Sequence, residues 1–201
     1  MPDTGAPWNI PYVAGTDLVS DWPTDSLALA NAIDAGLDAA TVGIGSNVVQ
    51  TVKSDTFSTT ATSYTTVTGL TATITPTTNT SKILLIAQLY LGSAATSHGF
   101  IRIAGGNADD YVGDAAGSNR IRTAHVTWDG NSPVIQLYQY GGNNAAIVYL
   151  DSPATTSATT YQVEILARSG STIYVNRSGQ DSDSDQYGRT ASSLTAIEVK
   201  A

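Results

Sequence analysis

Asp181, Asp183 and Asp185 alternate with Ser182 and Ser184. Carboxylates at every second position open many hard-cation loops, and calcium gathers roughly six to eight oxygens, some of which hydroxyls and carbonyls can supply. The likeness is partial. Gln186 stands where an EF-hand loop turns on glycine, and Ser192 where it closes on a bidentate glutamate. Two expectations attach to the run: a calcium site at Asp181, Asp183 and Asp185, or a solvated hairpin tip that holds no metal. A second acidic group, Asp109, Asp110 and Asp114, has the residue type that glycoside hydrolysis uses in pairs. That chemistry also needs a fixed separation between the acids, which acidic loops seldom provide.

His98 and His125 lie 27 positions apart and form no H-x-H, H-x-x-x-H or H-E-x-x-H spacing. His125 reads as a sheet-face residue and His98 as part of a polar turn. Serine and threonine are too numerous for one to stand out, and the G-x-S-x-G, G-x-G-x-x-G and Walker patterns are absent. No catalytic residue is assigned, and the chain is not expected to be an enzyme. Trp128, Tyr138 and Tyr140, with Tyr149, Tyr174 and Tyr187, leave one route to a small ligand, because flat amphipathic rings are surfaces on which sugars stack. The same residues also suit a sheet core and its cross-strand pairs. Sugar contact at Trp128, Tyr138 and Tyr140 is therefore one reading of two.

The elements that would position these groups follow from composition and period. With no cysteine in 201 residues there is no disulfide framework, thiolate nucleophile or Cys-ligated zinc. Nine basic against seventeen acidic residues give a net charge of −8, which disfavours electrostatic capture of nucleic acid or an anionic membrane. No apolar run approaches the ~18 residues of a membrane span, and the start shows no basic-then-apolar leader, so membrane insertion is not expected. Thr and Ser supply about a quarter of the chain and Gly adds 18, the usage of strands and turns with hydroxyl-covered faces.

Residues 1–23 hold two of the three tryptophans, and Pro7, Pro11 and Pro23 discourage both helix and central strand. Trp8, Ile10, Tyr12, Val13 and Trp22 are too apolar for a solvated tail. They read as an arm that docks on another subunit or assembly, or that wraps back over its own domain. Residues 24–41 predict a helix capped by Thr24 or Asp25, with Leu29, Ile33 and Leu37 on one stripe suited to self-association or to packing on the rest of the chain. Gly43 to Ser46 predicts a flexible joint between an N-terminal part, 1–45, and a body, 46–201.

Beyond the joint the period is two. Leu70, Ala72 and Ile74 alternate with Thr71, Thr73 and Thr75, a half-buried strand. Ile83 to Leu91 is apolar at both parities and reads as a central strand buried on both sides. Further runs at 98–104, 120–128, 133–140, 144–150, 159–168, 171–176 and 191–199 follow, with hairpin signals at Ser169-Gly170 and Gly141 to Asn144. Such a series without interleaved helices predicts a mainly β fold, an antiparallel β-sandwich of jelly-roll type.

Several phrases resemble structural proteins of tailed bacteriophages. The opening GAPWNIPYVAGTDLVSDWPTDSLALANAID resembles N-terminal segments of tail and fibre proteins. The stretch VVQTVKSDTFSTTATSYTTVTGLTATITPTTNTSKILLIAQLYLG, and the C-terminal IYVNRSGQDSDSDQYGRTASSLTAIEV, resemble a β module of tail fibres and other virion proteins. The resemblance implies a homotrimeric or otherwise symmetric structural protein of the virion, with the arm and helix attaching to other virion proteins and the sandwich displayed. A tail fibre or minor tail component is the leading expectation, and a host-surface glycan is the partner that the aromatic residues would suit. A head fibre or capsid decoration protein is the alternative within that class, and a carbohydrate-binding module the alternative from another.

Overall fold

A computed structural model describes residues 22–40, 44–94, 98–114, 119–127 and 141–200. The chain divides into two units, Met1–Gly43 and Ile44–Ala201. The described part of the first is one helix, α1, Trp22–Ala40. Pro23 sits in its first turn, where the missing N–H costs no intrahelical bond and the fixed φ already suits a helix. Thr24 and Asp25, expected as caps, lie inside that turn instead, with Asp25 near the positive end of the helix dipole. Ile33 of the predicted stripe is exposed and Leu29 half-buried. The side chains of Leu37 and Trp22 lie outside the described residues, as do Trp8, Ile10, Tyr12 and Val13.

The described residues of the second unit form ten strands: β1 Ile44–Lys53, β2 Phe57–Thr59, β3 Thr65–Ile74, β4 Lys82–Ser93, β5 Gly99–Ala104, β6 His125–Val126, β7 Asn143–Asp151, β8 Thr159–Ala167, β9 Ile173–Val175 and β10 Ser192–Val199. Every pairing between them is antiparallel. One edge of β4 is taken by β7, and the other by β10 and then β9, placed end to end. β1 pairs with β10, and β2 with β9. Thus β1/β2 and β9/β10 are two interrupted strands, and the described strands make eight rows. Numbered along the chain, the first sheet runs 1-8-3-6 and the second, β3-β8-β5-β6, runs 2-7-4-5. That interleaving is the eight-stranded jelly roll.

The core lies between the sheets. Alternate residues of each strand supply it: Leu70, Ala72 and Ile74 from β3, Ile83, Leu85, Ala87 and Leu89 from β4, Tyr161, Val163 and Ile165 from β8, Leu194 and Ala196 from β10. The period-two pattern produces this directly, because successive side chains leave a strand on opposite faces.

Several expectations need correction. The predicted joint is partly strand, since Ile44 to Ser46 already belong to β1, whose alternation at the edge of the sheet is masked in sequence by Gly45 and Asn47. Ser169-Gly170 is not a hairpin. Arg168–Gly170 is a 3-10 turn that carries the chain from β8 in the second sheet to β9 in the first. Only His125 and Val126 of the run 120–128 are strand among its described residues. The run 133–140 lies outside the described residues. β4 is central by hydrogen bonding yet buried on one face alone, a difference that becomes important below.

Where β1 meets β3 the sandwich is closed by a buried carboxylate. Glu198 of β10 points inward and accepts the Thr77 N–H at 2.7 Å, the Thr77 hydroxyl at 2.6 Å and the Asn47 amide at 3.0 Å. Burial alone would raise its pKa. The hydrogen bonds from Ser81, Thr77 and Asn47 outweigh burial and hold it well below the ordinary value of 4.5, down to about 2. A depressed folded value means that the carboxylate's contribution, about 3 kcal/mol, is complete above the ordinary value and lost as pH falls from 4.5 towards 2. Urea denaturation across that window is expected to show a steep acid loss in the native chain and a flatter one in Glu198→Gln. Equal slopes in the two proteins would contradict this.

Candidate functional site

Functional geometry in the described residues concentrates on the outward face of the first sheet. The register sets side chains there in cross-strand rows. One row is Val48, Ile197, Leu84 and Leu150; the next is Gln50, Thr195, Ile86 and Val148; the third is Val52, Ser193, Gln88 and Ala146. Val48 is 51% exposed, Val52 59%, Val148 54% and Leu150 43%, while Leu84, Ile86 and Ile197 are half-buried. An aliphatic row across all four strand positions is therefore open to solvent.

The outward face of the second sheet is built differently. Thr71 and Thr73 of β3 and Thr75 just after it are exposed, and the Thr73 hydroxyl pairs with that of Thr160 at 2.8 Å. Beside them Arg102 grips Glu164 through Nε and Nη2, each at 2.8 Å, and lies over the Tyr64 ring at 4.3 Å. Gln162 donates to the other carboxylate oxygen at 2.9 Å. The same face also carries a shorter apolar row, Val126, Phe100 and Leu166, of which Val126 is exposed. Exposed aliphatic surface is therefore more extensive on the first sheet, at Val48, Val52, Val148 and Leu150.

At the far end of that face the character changes. Tyr90 of β4 pairs with Asn144 of β7, and Gln88 with Ala146. Together with Thr190 and Ala191 they line an open groove of about 390 Å³. Gln88 and Asn144 are exposed and Tyr90 half-buried. Burial lifts the Tyr90 phenol above its ordinary value of 10.0, so it remains a neutral donor and acceptor. The hydroxyl of Thr190 is buried in the wall with no hydrogen-bond partner among the described residues.

The groove's wall at Thr190 and Ala191 comes from the segment between β9 and β10, which leaves the sheet at Asn176 and returns at Ser192. Asn176 is fully buried at φ +64°, a conformation that asparagine tolerates better than most residues. Its amide donates to the carbonyls of Lys53 (2.8 Å) and Asp55 (2.9 Å), and its Oδ1 accepts the Ser192 hydroxyl at 2.6 Å. Its N–H donates to the Tyr90 carbonyl at 2.9 Å. One side chain thus spans the break between β1 and β2 and closes the neck of the excursion. Gly92 lets the outgoing chain approach β4, because a Cβ there would collide with the backbone of Arg177 and Ser178.

Asp181, Asp183 and Asp185 lie on this excursion but do not converge. Asp181 is held by Arg189 at 2.6 Å and Arg177 at 3.3 Å, and Arg177 lies 4.0 Å over the Tyr174 ring. Asp183 and Asp185 stand exposed at the tip. Among the described residues no group of three or more His, Asp or Glu is placed to hold a metal. Asp109 accepts the Gly105 N–H at 3.0 Å, and Asp114 is exposed. His125 is half-buried beside Ile101, and burial lowers its pKa.

Trp128, Tyr138 and Tyr140 lie outside the described residues. The groove residues Gln88, Tyr90 and Asn144 were not singled out by sequence, although a signal was present. In ILLIAQLYL, Gln88 and Tyr90 share parity with Leu84 and Ile86, so a polar end of the outward face was already marked. No family model and no curated protein matches the chain.

Proposed function

We propose that the chain is a structural protein of a tailed-bacteriophage virion, a tail fibre or minor tail component. Its N-terminal segment attaches it to other virion proteins, and its jelly roll is displayed as a homotrimer for host-surface contact. The observation that carries this reading is the unequal dress of the two sheets. The row Val48, Ile197, Leu84 and Leu150 crosses the whole sheet without a polar side chain, whereas the opposite face sets threonines and an Arg–Glu pair beside a shorter apolar row, Val126, Phe100 and Leu166. Exposed aliphatic surface of this extent is costly unless a neighbour covers it, and closed symmetric association is the common solution. The phrases shared with tail and fibre proteins support the setting. Jelly rolls are common in viral capsid and lectin domains, which supports it by fold analogy only.

The test compares the native chain, a chain lacking residues 1–23 and Leu84→Glu, each by light scattering and by incorporation into particles. The native chain is expected as a trimer, and Leu84→Glu as a folded monomer that is not incorporated. The shortened chain is expected to remain a trimer but to be missing from particles. A monomeric native chain overturns the association, and a shortened chain found in particles overturns the anchoring.

A further inference from the structure

We propose that the groove of Gln88, Tyr90, Asn144 and Thr190 is a binding site for a neutral saccharide. The residues that line it are two carboxamides, a phenol, a hydroxyl, the exposed alanines Ala146 and Ala191, and Leu89 and Ala145, with no charged side chain among them. Each carboxamide offers two N–H donors and one carbonyl acceptor, the complement of a ring hydroxyl that both donates and accepts. Tyr90 and Asn144 are direct cross-strand partners, and Gln88 is the diagonal neighbour of Asn144. Diagonal positions of this kind are roughly 7–8 Å apart along the backbone, a spacing from which two amides can reach two hydroxyls of one sugar ring beside Tyr90. A cleft of about 390 Å³ is at the small end of the roughly 300–1,000 Å³ of small-molecule sites.

Other ligand classes fit less well. An anion would need a cation or a row of amides, and no Lys or Arg lines the groove. A peptide strand would need an open sheet edge, and β4 under the groove is paired on both sides. An aliphatic anchor would need an apolar pocket, and the groove is shallow and edged by amides. The unpaired Thr190 hydroxyl adds hydrogen-bonding capacity that a ligand hydroxyl, or a water carried with it, can use.

This site is distinct from the aliphatic row at the other end of the face and does not depend on the virion reading. Particle incorporation can fail while saccharide binding stands, and the reverse.

The full-length chain is titrated by NMR with glucose, galactose, mannose, N-acetylglucosamine and their disaccharides. Sialic acid, glucuronic acid and an uncharged tripeptide form the comparison arms. At least one neutral sugar is expected to shift the backbone amides of Gln88, Tyr90 and Asn144. Gln88→Ala and Asn144→Ala, both at exposed positions, are each expected to weaken that sugar about tenfold with the melting temperature unchanged. Three results overturn the proposal: no shift at these amides with any neutral sugar up to about 10 mM, tenfold above a Kd of about 1 mM; shifts only with the acids or the peptide; or undiminished binding in both variants.

Discussion

Asn176→Ala is expected to destabilise the jelly roll by about 4 kcal/mol, a fall in melting temperature of about 8–16 °C for a domain of this size. The carbonyls of Lys53 and Asp55 and the hydroxyl of Ser192 would each lose a partner in a place that water reaches poorly. Each such loss costs about 1–3 kcal/mol. Alanine would in addition have to hold φ +64°, a strain of about 1 kcal/mol or more. Asn176→Gly separates the two causes, since it removes the same hydrogen bonds but relaxes the backbone, and it should be the milder change by about that strain. Chemical denaturation measures both. A loss below about 1 kcal/mol in Asn176→Ala would mean that the two strand interruptions are held by something else.

Asp151→Ala is expected to cost a similar amount, about 4 kcal/mol, at the opposite end of the core. Asp151 is fully buried at the end of β7 and accepts the Tyr161 hydroxyl of β8 at 2.5 Å, a bond from one sheet to the other. The Asn107 N–H approaches the same carboxylate at 3.2 and 3.3 Å, and the Asn107 amide reaches the Ser152 carbonyl at 2.6 Å. Burial, with the carboxylate beside it, pushes the Tyr161 phenol far above its ordinary value. Gly106, at φ +56°, lets the turn after β5 close over this pair, where a Cβ would strike the carboxylate. Removing the acid strands a buried hydroxyl and takes the partner of a part-buried N–H. Tyr161→Phe is expected to cost about half as much, and the double variant about as much as Asp151→Ala alone. Additive losses in that cycle would show that the pair does not act as a unit.

The sandwich was legible because its strands obey a two-residue period that tertiary packing reinforces. Leu70, Ala72 and Ile74, and later Leu194 and Ala196, alternate as cleanly in sequence as they do in the core. The jelly-roll order was expected from strand number and the lack of helices, but the pairings themselves depend on contacts distant in sequence. Ser169-Gly170 shows the difficulty. A local turn signal is the same whether the chain returns beside its own strand or crosses to the other sheet. β1 was hidden because an edge strand with Gly45, Asn47 and Gln50 has few of the residues that make alternation visible.

The site was legible only in part. ILLIAQLYL was expected to be covered on both sides, and a single chain covers one. The uncovered side is the outward face that carries the aliphatic row and the groove. The acidic run was conspicuous in sequence for its spacing. In the fold Asp181 is committed to two arginines on the same excursion, partners that spacing within the run cannot reveal. Asn176, which organises the site's foundation, is a single asparagine in a phrase with no motif, and its role arises from four segments that meet only after folding.

Closing the excursion at its neck has a consequence for how such a chain can change. Because Asn176 and Ser192 restore the row across the gap, the length of what lies between them is decoupled from the sandwich. Lengthening a closed loop is inexpensive, about 0.6 kcal/mol for each doubling. The exposed tip, residues 182–186, is therefore a port at which sequence can be exchanged, inserted or diversified, while the β framework keeps its register.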